Sequence, residues 1–191
     1  MKAFDAVILA GGRGERLGGA DKAAVVIDGV TLLERVVTAA GDADRVVCVG
    51  PERDTSRPVR WTREQPPGGG PVAALAAGFE LVEEPIVVVL AVDLPFVTPD
   101  VVTSLVDRLG DAVSALAADS AGIHQPLLAA YRTEALRGRL RSLGDPGGAS
   151  MKSLVAGLDH VTIPAPDATQ DVDTQADLER VRAKLDPLGN R

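Results

Sequence analysis

The stretch that decides the fold is AVILAGGRGERLGGADK, residues 6–22. It begins with five apolar residues, of which Val7 and Ile8 are β-branched, as is typical of a strand buried on both faces. The strand runs directly into a loop with successive glycines, and such a loop lets backbone N–H groups approach an anion closely. The stretch therefore predicts a core strand that ends in an anion-binding loop.

Two further apolar runs, Val46–Val49 and Ile86–Val92, are continuous rather than alternating, which indicates parallel strands covered by helices on both sides. Weaker strand candidates are Ala112–Ala117, Leu127–Tyr131 and Val161–Ile163, and helix starts are indicated at Thr31, Pro71, Thr98 and Thr174. The alternation of strands and helices predicts one α/β domain over residues 1–187, with a short tail at 188–191. Its architecture is expected to be a Rossmann-like three-layer sandwich with a mostly parallel central sheet.

Two of the helix starts have capping patterns. Thr31 is followed three residues later by Glu34, which is expected to bond back to the start of the helix while Thr31 accepts from the Glu34 N–H. Thr174 and Asp177 open the last helix in a similar way. These patterns fix where two helices begin.

Composition narrows the function. The chain has 191 residues, with 20 Lys and Arg against 27 Asp and Glu, and a formal net charge of −7. Nucleic-acid binding by bulk charge is excluded, because phosphate neutralisation dominates such binding, and an aromatic content of 3% disfavours base-stacking platforms. The start lacks a signal-peptide pattern and the longest apolar run, 85–92, is too short to span a bilayer. We expect a soluble, cytoplasmic protein without nucleic-acid or membrane partners, in which the single cysteine, Cys48, is a buried apolar residue.

The glycine loop does not fit two familiar phosphate-binding motifs. The dinucleotide motif requires glycine where Leu17 stands, and the Walker motif requires Ser or Thr after its lysine, whereas Ala23 follows Lys22. The distinctive feature is charge, since Arg13, Arg16 and Lys22 place three cations within ten residues of an acidic chain. A triphosphate needs such counter-charges when it leaves water. A solvated surface loop is the alternative, which is disfavoured because ordering so many glycines costs conformational entropy.

This loop resembles the signature loop of the molybdenum cofactor guanylyltransferases, the MobA-type nucleotidyltransferases. Similar motifs follow in matching order, so that the resemblance covers residues 9–22, 69–75, 92–97, 124–127 and 171–178. It implies a nucleotidyltransferase-type fold whose N-terminal half binds nucleotide and whose C-terminal half binds the acceptor. The implied reaction transfers GMP from GTP to the phosphate of molybdenum-loaded molybdopterin and releases pyrophosphate, with Mg²⁺ as cofactor. Transient proteins that deliver or accept the molybdenum cofactor are expected as partners.

The resemblance also assigns roles to individual residues. It implies that Arg16, Lys22 and Asp93 are catalytic, with the two cations stabilising charge on the α-phosphate and the leaving group. Nucleotide contacts are assigned to Leu9, Ala10, Gly11, Gly12, Lys22, Glu64 and Asp93, of which Glu64 lies near a position where the family carries Asp.

Three aspartates are candidates around the metal. Asp93 ends the most hydrophobic strand, at the sheet edge where ligands of α/β proteins bind, and a carboxylate there suits Mg²⁺ better than a role as a turn residue. Asp171 and Asp173 are two residues apart in an extended stretch, so their side chains share one face. We expect Asp173 to be either a second metal contact, an acceptor contact or a helix cap, and Asp171 to lie near the acceptor. The family usually carries Asn at these two positions.

The acceptor side has weaker candidates. His124 matches a family segment near the acceptor site, and Lys152 follows a glycine-rich segment that suits a phosphate. His160 is expected at the surface. Most of the basic stretch Arg132, Arg137, Arg139 and Arg141 is interpreted as a solvated helix face, and one or two of the basic residues could receive the acceptor's phosphate.

Alternatives remain open at this point. Val49-Gly50 replaces a family Asn, which keeps a CTP-dependent or sugar-phosphate-dependent transferase in consideration, whereas the Ala10-Gly11-Gly12 form of the loop favours guanine. A catalytically silent nucleotide-binding module is disfavoured because the charged set Arg16, Lys22 and Asp93 is complete. A dehydrogenase is disfavoured by the missing third glycine.

Overall fold

The computed structural model describes residues 2–14 and 19–185 of the chain. Arg16 and the expected tail at 188–191 lie outside these residues. The strands are β1 (Asp5–Leu9), β2 (Arg13–Gly14), β3 (Ala20–Asp21), β4 (Val26–Ile27), β5 (Val30–Thr31), β6 (Arg45–Val49), β7 (Arg60–Thr62), β8 (Ile86–Ala91), β9 (Ser114–Ala118), β10 (His124–Arg132) and β11 (His160–Pro164). The helices are α1 (Leu32–Ala39), α2 (Pro71–Phe79), α3 (Pro99–Arg108), α4 (Thr133–Leu143), α5 (Met151–Val155) and α6 (Gln175–Leu185), with a 3₁₀ turn at Lys22–Ala24.

Seven strands form one central sheet, in the order β11-β9-β10-β8-β1-β6-β7. Strand β1 pairs in parallel with both β6 and β8, so that Leu9 lies opposite Val49 on one side and Ala91 on the other. Strand β10 runs antiparallel to its neighbours β8 and β9. The mostly parallel sheet is confirmed, and its register brings the chain segments that follow β1, β6 and β8 to one carboxyl edge.

Helices cover both faces of the sheet. One core packs α1 and α3 against it through residues such as Val36 and Leu105, and the other packs α2, α4 and α5 through residues such as Leu75 and Leu136. A smaller cluster joins α6 to the β4–β5 hairpin, with Leu178 and Ile27 buried in it. The three-layer sandwich is confirmed, and the β-branched strands lie where both faces are covered.

The predicted capping hydrogen bonds at the starts of α1 and α6 are present, except for one bond of Glu34. The Thr31 hydroxyl accepts from the Glu34 N–H at 3.1 Å, as expected. The Glu34 carboxylate, however, binds the N–H and hydroxyl of Ser56 instead of reaching back to the helix start, so that part of the prediction is wrong. Two donors from a neighbouring loop outcompete the one local donor. At α6, Asp177 does bond back to the Thr174 N–H at 2.8 Å.

The basic stretch in the C-terminal half is not simply solvated. Arg137 in α4 donates to the carbonyls of Phe79 and Val82, and Arg139 donates to the Leu154 carbonyl at 2.9 Å. The interpretation as a solvated face is wrong for these two arginines, because they satisfy carbonyls at and beyond the ends of α2 and α5.

Two further expectations concern single features. Cys48 is fully buried in β6, as expected, and burial raises the pKa of its thiol to about 12. None of the helices in the described ranges is long and apolar enough to cross a membrane.

Candidate active site

A cleft of about 1040 Å³ opens at the carboxyl edge of the sheet. The glycine loop, the segment after β6, the start of α2 and the end of β8 form its walls, so every wall follows or precedes a central element. Its lining includes Leu9, Gly11, Gly12, Lys22, Gly50, Arg53, Arg63, Glu64, Gly70, Asp93 and Leu127. The cleft lies where parallel α/β sheets generally bind ligands.

A glycine outside the loop allows the loop to sit against the sheet. Gly50 has φ +152°, and a Cβ at this position would lie 2.8 Å from the Gly11 nitrogen and 2.9 Å from the Ala10 carbonyl carbon. A side chain there would push the glycine loop away from the end of β6. Gly50 thus gives the loop a close packing surface at the end of β6.

Lys22 is the centre of the site. Its Nζ donates to Asp93 Oδ2 at 2.8 Å and makes a second, shorter contact with Asp173 Oδ1. The Lys22 side chain is 15% exposed, and those of Asp93 and Asp173 are 20% and 40% exposed. Residues far apart in sequence therefore converge on one half-buried ion-pair cluster.

Burial and charge act in opposite directions on this cluster. Burial lowers the pKa of Lys22, but hydrogen bonds to Asp173 and Asp93 outweigh it and raise that pKa above its ordinary value. Burial also raises the pKa of Asp171, and repulsion from the carboxylates of Asp93 and Asp173 adds to the rise. The aspartates are close enough to repel one another, which is the environment that a further cation would relieve.

Asp21 holds the start of the 3₁₀ turn that carries Lys22. Asp21 Oδ1 accepts from the Ala23 N–H at 3.2 Å and caps the 3₁₀ turn. Arg53 binds the same carboxylate through two N–H groups, at 2.8 and 2.7 Å. Sequence reasoning assigned no role to either residue, although Asp21 precedes Lys22 and Arg53 follows Gly50 at the carboxyl end of a predicted strand.

Most of the predicted nucleotide contacts meet in the cleft. Leu9, Gly11, Gly12, Lys22, Glu64 and Asp93 all line it. Ala10 lies buried beneath, with its N–H donating to the Val49 carbonyl at 2.9 Å. Glu64 Oε1 accepts from the Gly68 N–H at 3.0 Å, which shapes the loop before α2. Arg63 and Leu127 also line the cleft and were not predicted.

The predicted acceptor contacts divide into two groups. Asp171 and Asp173 join the Lys22 cluster, although neither is among the cleft-lining residues. His124 and Lys152 are not among the cleft-lining residues: His124 Nε2 lies 2.9 Å from Thr162 Oγ1 and its ring packs edge-on against His160, 4.6 Å between ring centres, while Lys152 is exposed on α5. Acceptor roles for these two residues stay predictions. His160 is exposed, as expected.

The donor set around Lys22 suits a hard cation. No three His, Cys, Asp or Glu side chains in the described part of the chain are grouped to hold a metal alone. Mg²⁺ does not require such a group, since it takes one or two carboxylates and completes its shell with phosphate and water. Asp93 and Asp173 already share one ammonium, so their oxygens face a common point where a cation is stabilised.

Known proteins share both the sequence pattern and the fold described above. The sequence matches the family described as "MobA-like NTP transferase domain" over residues 6–162. A molybdenum cofactor guanylyltransferase from Acidiphilium cryptum is 31% identical over 192 residues, covering 93% of each chain.

Two solved structures share the fold. Molybdopterin-guanine dinucleotide biosynthesis protein A from Archaeoglobus fulgidus has a TM-score of 0.74 at 22% identity, covering 96% of this chain and 100% of that one. The 2-C-methyl-D-erythritol 4-phosphate cytidylyltransferase from Thermus thermophilus has a TM-score of 0.73 at 21% identity, covering 96% of this chain and 98% of that one. At these identities the likeness shows the fold alone, and membership rests on the family match: the chain belongs to the MobA-like NTP transferase family of nucleotidyltransferases.

Proposed function

We propose that the protein transfers GMP from GTP to the terminal phosphate of molybdenum-loaded molybdopterin. An oxygen of the acceptor phosphate attacks the α-phosphorus of GTP, and the bond from that phosphorus to the bridging oxygen of pyrophosphate breaks. The acceptor oxygen is already anionic, so no side chain has to remove a proton. Catalysis then depends on positioning the two phosphates and neutralising their charge.

The observation that carries this proposal is the convergence of a glycine loop, Lys22 and two carboxylates at one edge of a large cleft. The loop offers backbone N–H groups beside Gly11 and Gly12, and Lys22 supplies a point charge that reaches the same space. Lys22 serves as a counter-charge for the α-phosphate and the departing pyrophosphate. Its raised pKa keeps the ammonium charged at neutral pH, as that role requires.

We assign Mg²⁺ binding to Asp93 and Asp173. When bound, the ion neutralises phosphate charge and favours departure of pyrophosphate. In this structure the Lys22 ammonium bridges the same two carboxylates, so ion and ammonium compete for them. Binding of the nucleotide offers Lys22 a new partner in the phosphates, which frees the carboxylates for the ion. We therefore expect Mg²⁺ and nucleotide to bind together.

Guanine is the base that we propose for the cleft, as the name of the guanylyltransferase relative suggests. Among the described residues that line it there is no aromatic side chain, so the base is held by backbone, aliphatic and polar contacts. The Watson–Crick edge of guanine presents two donors and one acceptor. Carboxylates such as Glu52 and Glu64 can accept from the donors, and Arg63 can donate to the acceptor.

The acceptor phosphate is proposed to bind next to the ion-pair cluster. Asp171 and Asp173 lie beside the proposed point of transfer, and His124 and Lys152 are proposed to contact the acceptor only if it extends beyond the cleft. Because the acceptor is delivered and passed on by other proteins in this proposal, we also propose transient protein contacts near the cleft mouth. A cytoplasmic location, without nucleic-acid or membrane partners, is part of the proposal.

Calorimetric titration with GTP, CTP, ATP and UTP, each with Mg²⁺, tests the base. We expect GTP to bind at least about tenfold more tightly than the others, the discrimination that one or two buried hydrogen bonds provide. Glu64→Gln should reduce this preference, whereas Glu80→Gln, at the far end of α2, should not. Preference for CTP would replace guanylyl transfer by the cytidylyl alternative.

Pyrophosphate release tests the reaction itself. Wild type should release pyrophosphate only when GTP, Mg²⁺ and molybdenum-loaded molybdopterin are all present. Binding of GTP without any release would support the silent nucleotide-binding module. Release with a sugar phosphate in place of the pterin would redirect the proposal to that acceptor class.

A further inference from the structure

The Arg53 guanidinium, which lines the cleft, contacts three separate segments of the chain. Its Nε and Nη2 bind the two oxygens of Asp21, and its Nη1 donates to the Pro51 carbonyl at 2.6 Å and makes a longer contact of 3.5 Å with the Ala10 carbonyl. The side chain is 18% exposed although it lines the cleft. One guanidinium therefore ties together the end of β1, the segment after β6 and the turn that begins at Lys22.

The link from Arg53 to Lys22 passes through a single carboxylate. Asp21 accepts two hydrogen bonds from Arg53 while capping the 3₁₀ turn through the Ala23 N–H. Lys22 follows Asp21 directly, and the Lys22 ammonium is held at its far end by Asp93 and Asp173. The backbone of Lys22 is thus fixed by Asp21, and its ammonium group by Asp93 and Asp173.

We infer that Arg53 is a positioning residue for nucleotidyl transfer: through Asp21 it holds the turn of Lys22 at the distance from the phosphates that catalysis requires. The two-pronged contact suits this role, because a planar guanidinium fixes the orientation of a carboxylate as an ammonium cannot. The inference rests on the proposed function. It assigns Arg53 no contact with the nucleotide.

A misplaced Lys22 should slow the chemical step more than it weakens binding. Arg53→Gln and Asp21→Asn are each expected to lower kcat by about 10- to 100-fold, since a displacement of about 1 Å at a positioned group has such effects. KM for GTP should change by less than about threefold, because the glycine loop and the cleft walls still bind the nucleotide. The double variant should be no slower than the slower single variant, since both substitutions break one link.

A matched pair at the opposite end of the sheet serves as the control. Arg45 also binds an aspartate, Asp5, but far from the cleft. Arg45→Gln should lower the unfolding temperature and leave kcat per folded molecule unchanged. Arg53→Lys, which keeps the charge but loses the planar fork, should recover less than half of the lost kcat.

The experiment measures kcat, KM and the unfolding temperature for this set, together with affinity for the triphosphate that wild type binds most tightly. If Arg53 contacted phosphate directly, Arg53→Gln would raise KM, whereas Asp21→Asn would release Arg53 and tighten nucleotide binding. That pattern would overturn the inference. Effects on kcat that add in the double variant would also overturn it. A fall in unfolding temperature with unchanged kcat would show a structural role only and would also overturn it. If wild type bound none of the four triphosphates, the proposed function and this inference would fail together, whereas an additive cycle in an active enzyme refutes the role of Arg53 alone.

Discussion

Two ion-pair clusters lie at the two ends of the central sheet, and each combines acidic side chains with one basic side chain. At the amino edge, Asp5 at the start of β1 is fully buried, and its Oδ2 accepts from the N–H groups of Glu83 and Glu84 at 2.8 and 3.1 Å and from Arg45 at 3.3 Å. Arg45 extends the cluster to Glu83 and to the Leu81 carbonyl. This cluster fixes the loop after α2 to the first strand.

The cluster at the carboxyl edge has a larger excess of carboxylates. Lys22 is shared between Asp93 and Asp173, and Asp171 lies close enough to be repelled by both. Lys22 and Asp93 line the cleft, and the side chains of Lys22, Asp93 and Asp173 all keep part of their surface exposed. Their excess of carboxylate is favourable only where a further cation can arrive.

The difference in partners between the two clusters shows how a structural ion pair can be told from a functional one. Backbone donors and an arginine bind Asp5 Oδ2 through bonds that never need to change, and these bonds offset part of the cost of burying a carboxylate whose Oδ1 has no hydrogen-bond partner among the described residues. In the carboxyl-edge cluster, side-chain charges stabilise one another through bonds that a ligand can replace. Both clusters pair carboxylates with a basic side chain, and the partners decide the role.

The largest expected effect is the loss of catalysis in Asp93→Asn. Removing this charge should lower the rate of pyrophosphate release by about 10³-fold, the order of effect expected when an electrostatic contact to the reacting phosphates is lost. Thermal unfolding should change little, because Lys22 keeps Asp173. Asp107→Asn, on the exposed surface of α3, is the control. Retained metal-dependent turnover in Asp93→Asn would remove the catalytic role of Asp93.

The amino-edge cluster should respond in the reverse manner. Asp5→Ala leaves two backbone N–H groups without their acceptor, whereas Arg45 keeps Glu83 and the Leu81 carbonyl, and we expect a loss of about 2–4 kcal/mol in the free energy of unfolding measured with urea. Activity per folded molecule should remain at the wild-type level. Asp5→Asn should cost less, since an amide oxygen still accepts. A large loss of kcat in folded Asp5→Asn protein would contradict the division between the two edges.

Lys22→Met should separate the two tasks of the carboxyl-edge cluster. We expect kcat to fall by about 10²-fold, because one counter-charge for the phosphates is lost. Mg²⁺ should bind the nucleotide-free variant about tenfold more tightly than wild type, because the ammonium no longer competes for Asp93 and Asp173. Calorimetry with Mg²⁺ alone measures this, with Lys2→Met as the control. Unchanged Mg²⁺ affinity would mean that the ion does not use these two carboxylates.

The smallest effect concerns pH. The pKa of Asp171 is raised in the folded protein, so the ionised carboxylate costs folding stability once the pH exceeds that raised value. Below the ordinary value of 3.8 the carboxyl is protonated in both states and the cost is absent. Asp171→Asn should therefore match wild type at pH 3 and unfold at most about 2 °C higher at pH 7, a small gain because the side chain is partly exposed. An equal gain at both pH values would exclude ionisation as its cause.

Most strands of the central sheet, and the cleft-lining residues of the glycine loop and the end of β8, were predictable from the sequence. The strands beginning near Ala6, Val46 and Ile86 were predictable because long apolar β-branched runs have few other solutions in an α/β chain. Strand β7 and the two short hairpins were not, since two or three residues carry no period that distinguishes a strand from a loop. Glu34 was misassigned because its actual partner, Ser56, is 22 residues away in sequence.

The site shows the same division. Gly11, Gly12, Lys22 and Asp93 were recognisable because their motifs are local and the chain order of a parallel sheet brings strand ends together. Their mutual contacts were not, and neither were the residues that hold them. Arg53 has no motif of its own and acquires its role only by meeting Asp21 across the cleft.

The sequence by itself determined the fold class and the family and predicted an anion-binding loop, because apolar runs, successive glycines and charged loop residues are short-range patterns in the chain. Tertiary structure alone decided that Lys22 joins Asp93 to Asp173, that Asp5 closes the opposite edge, and that Gly50 lets the loop rest on β6. Electrostatic interactions fall with distance in space and not in sequence, so partners up to 151 residues apart are set by folding.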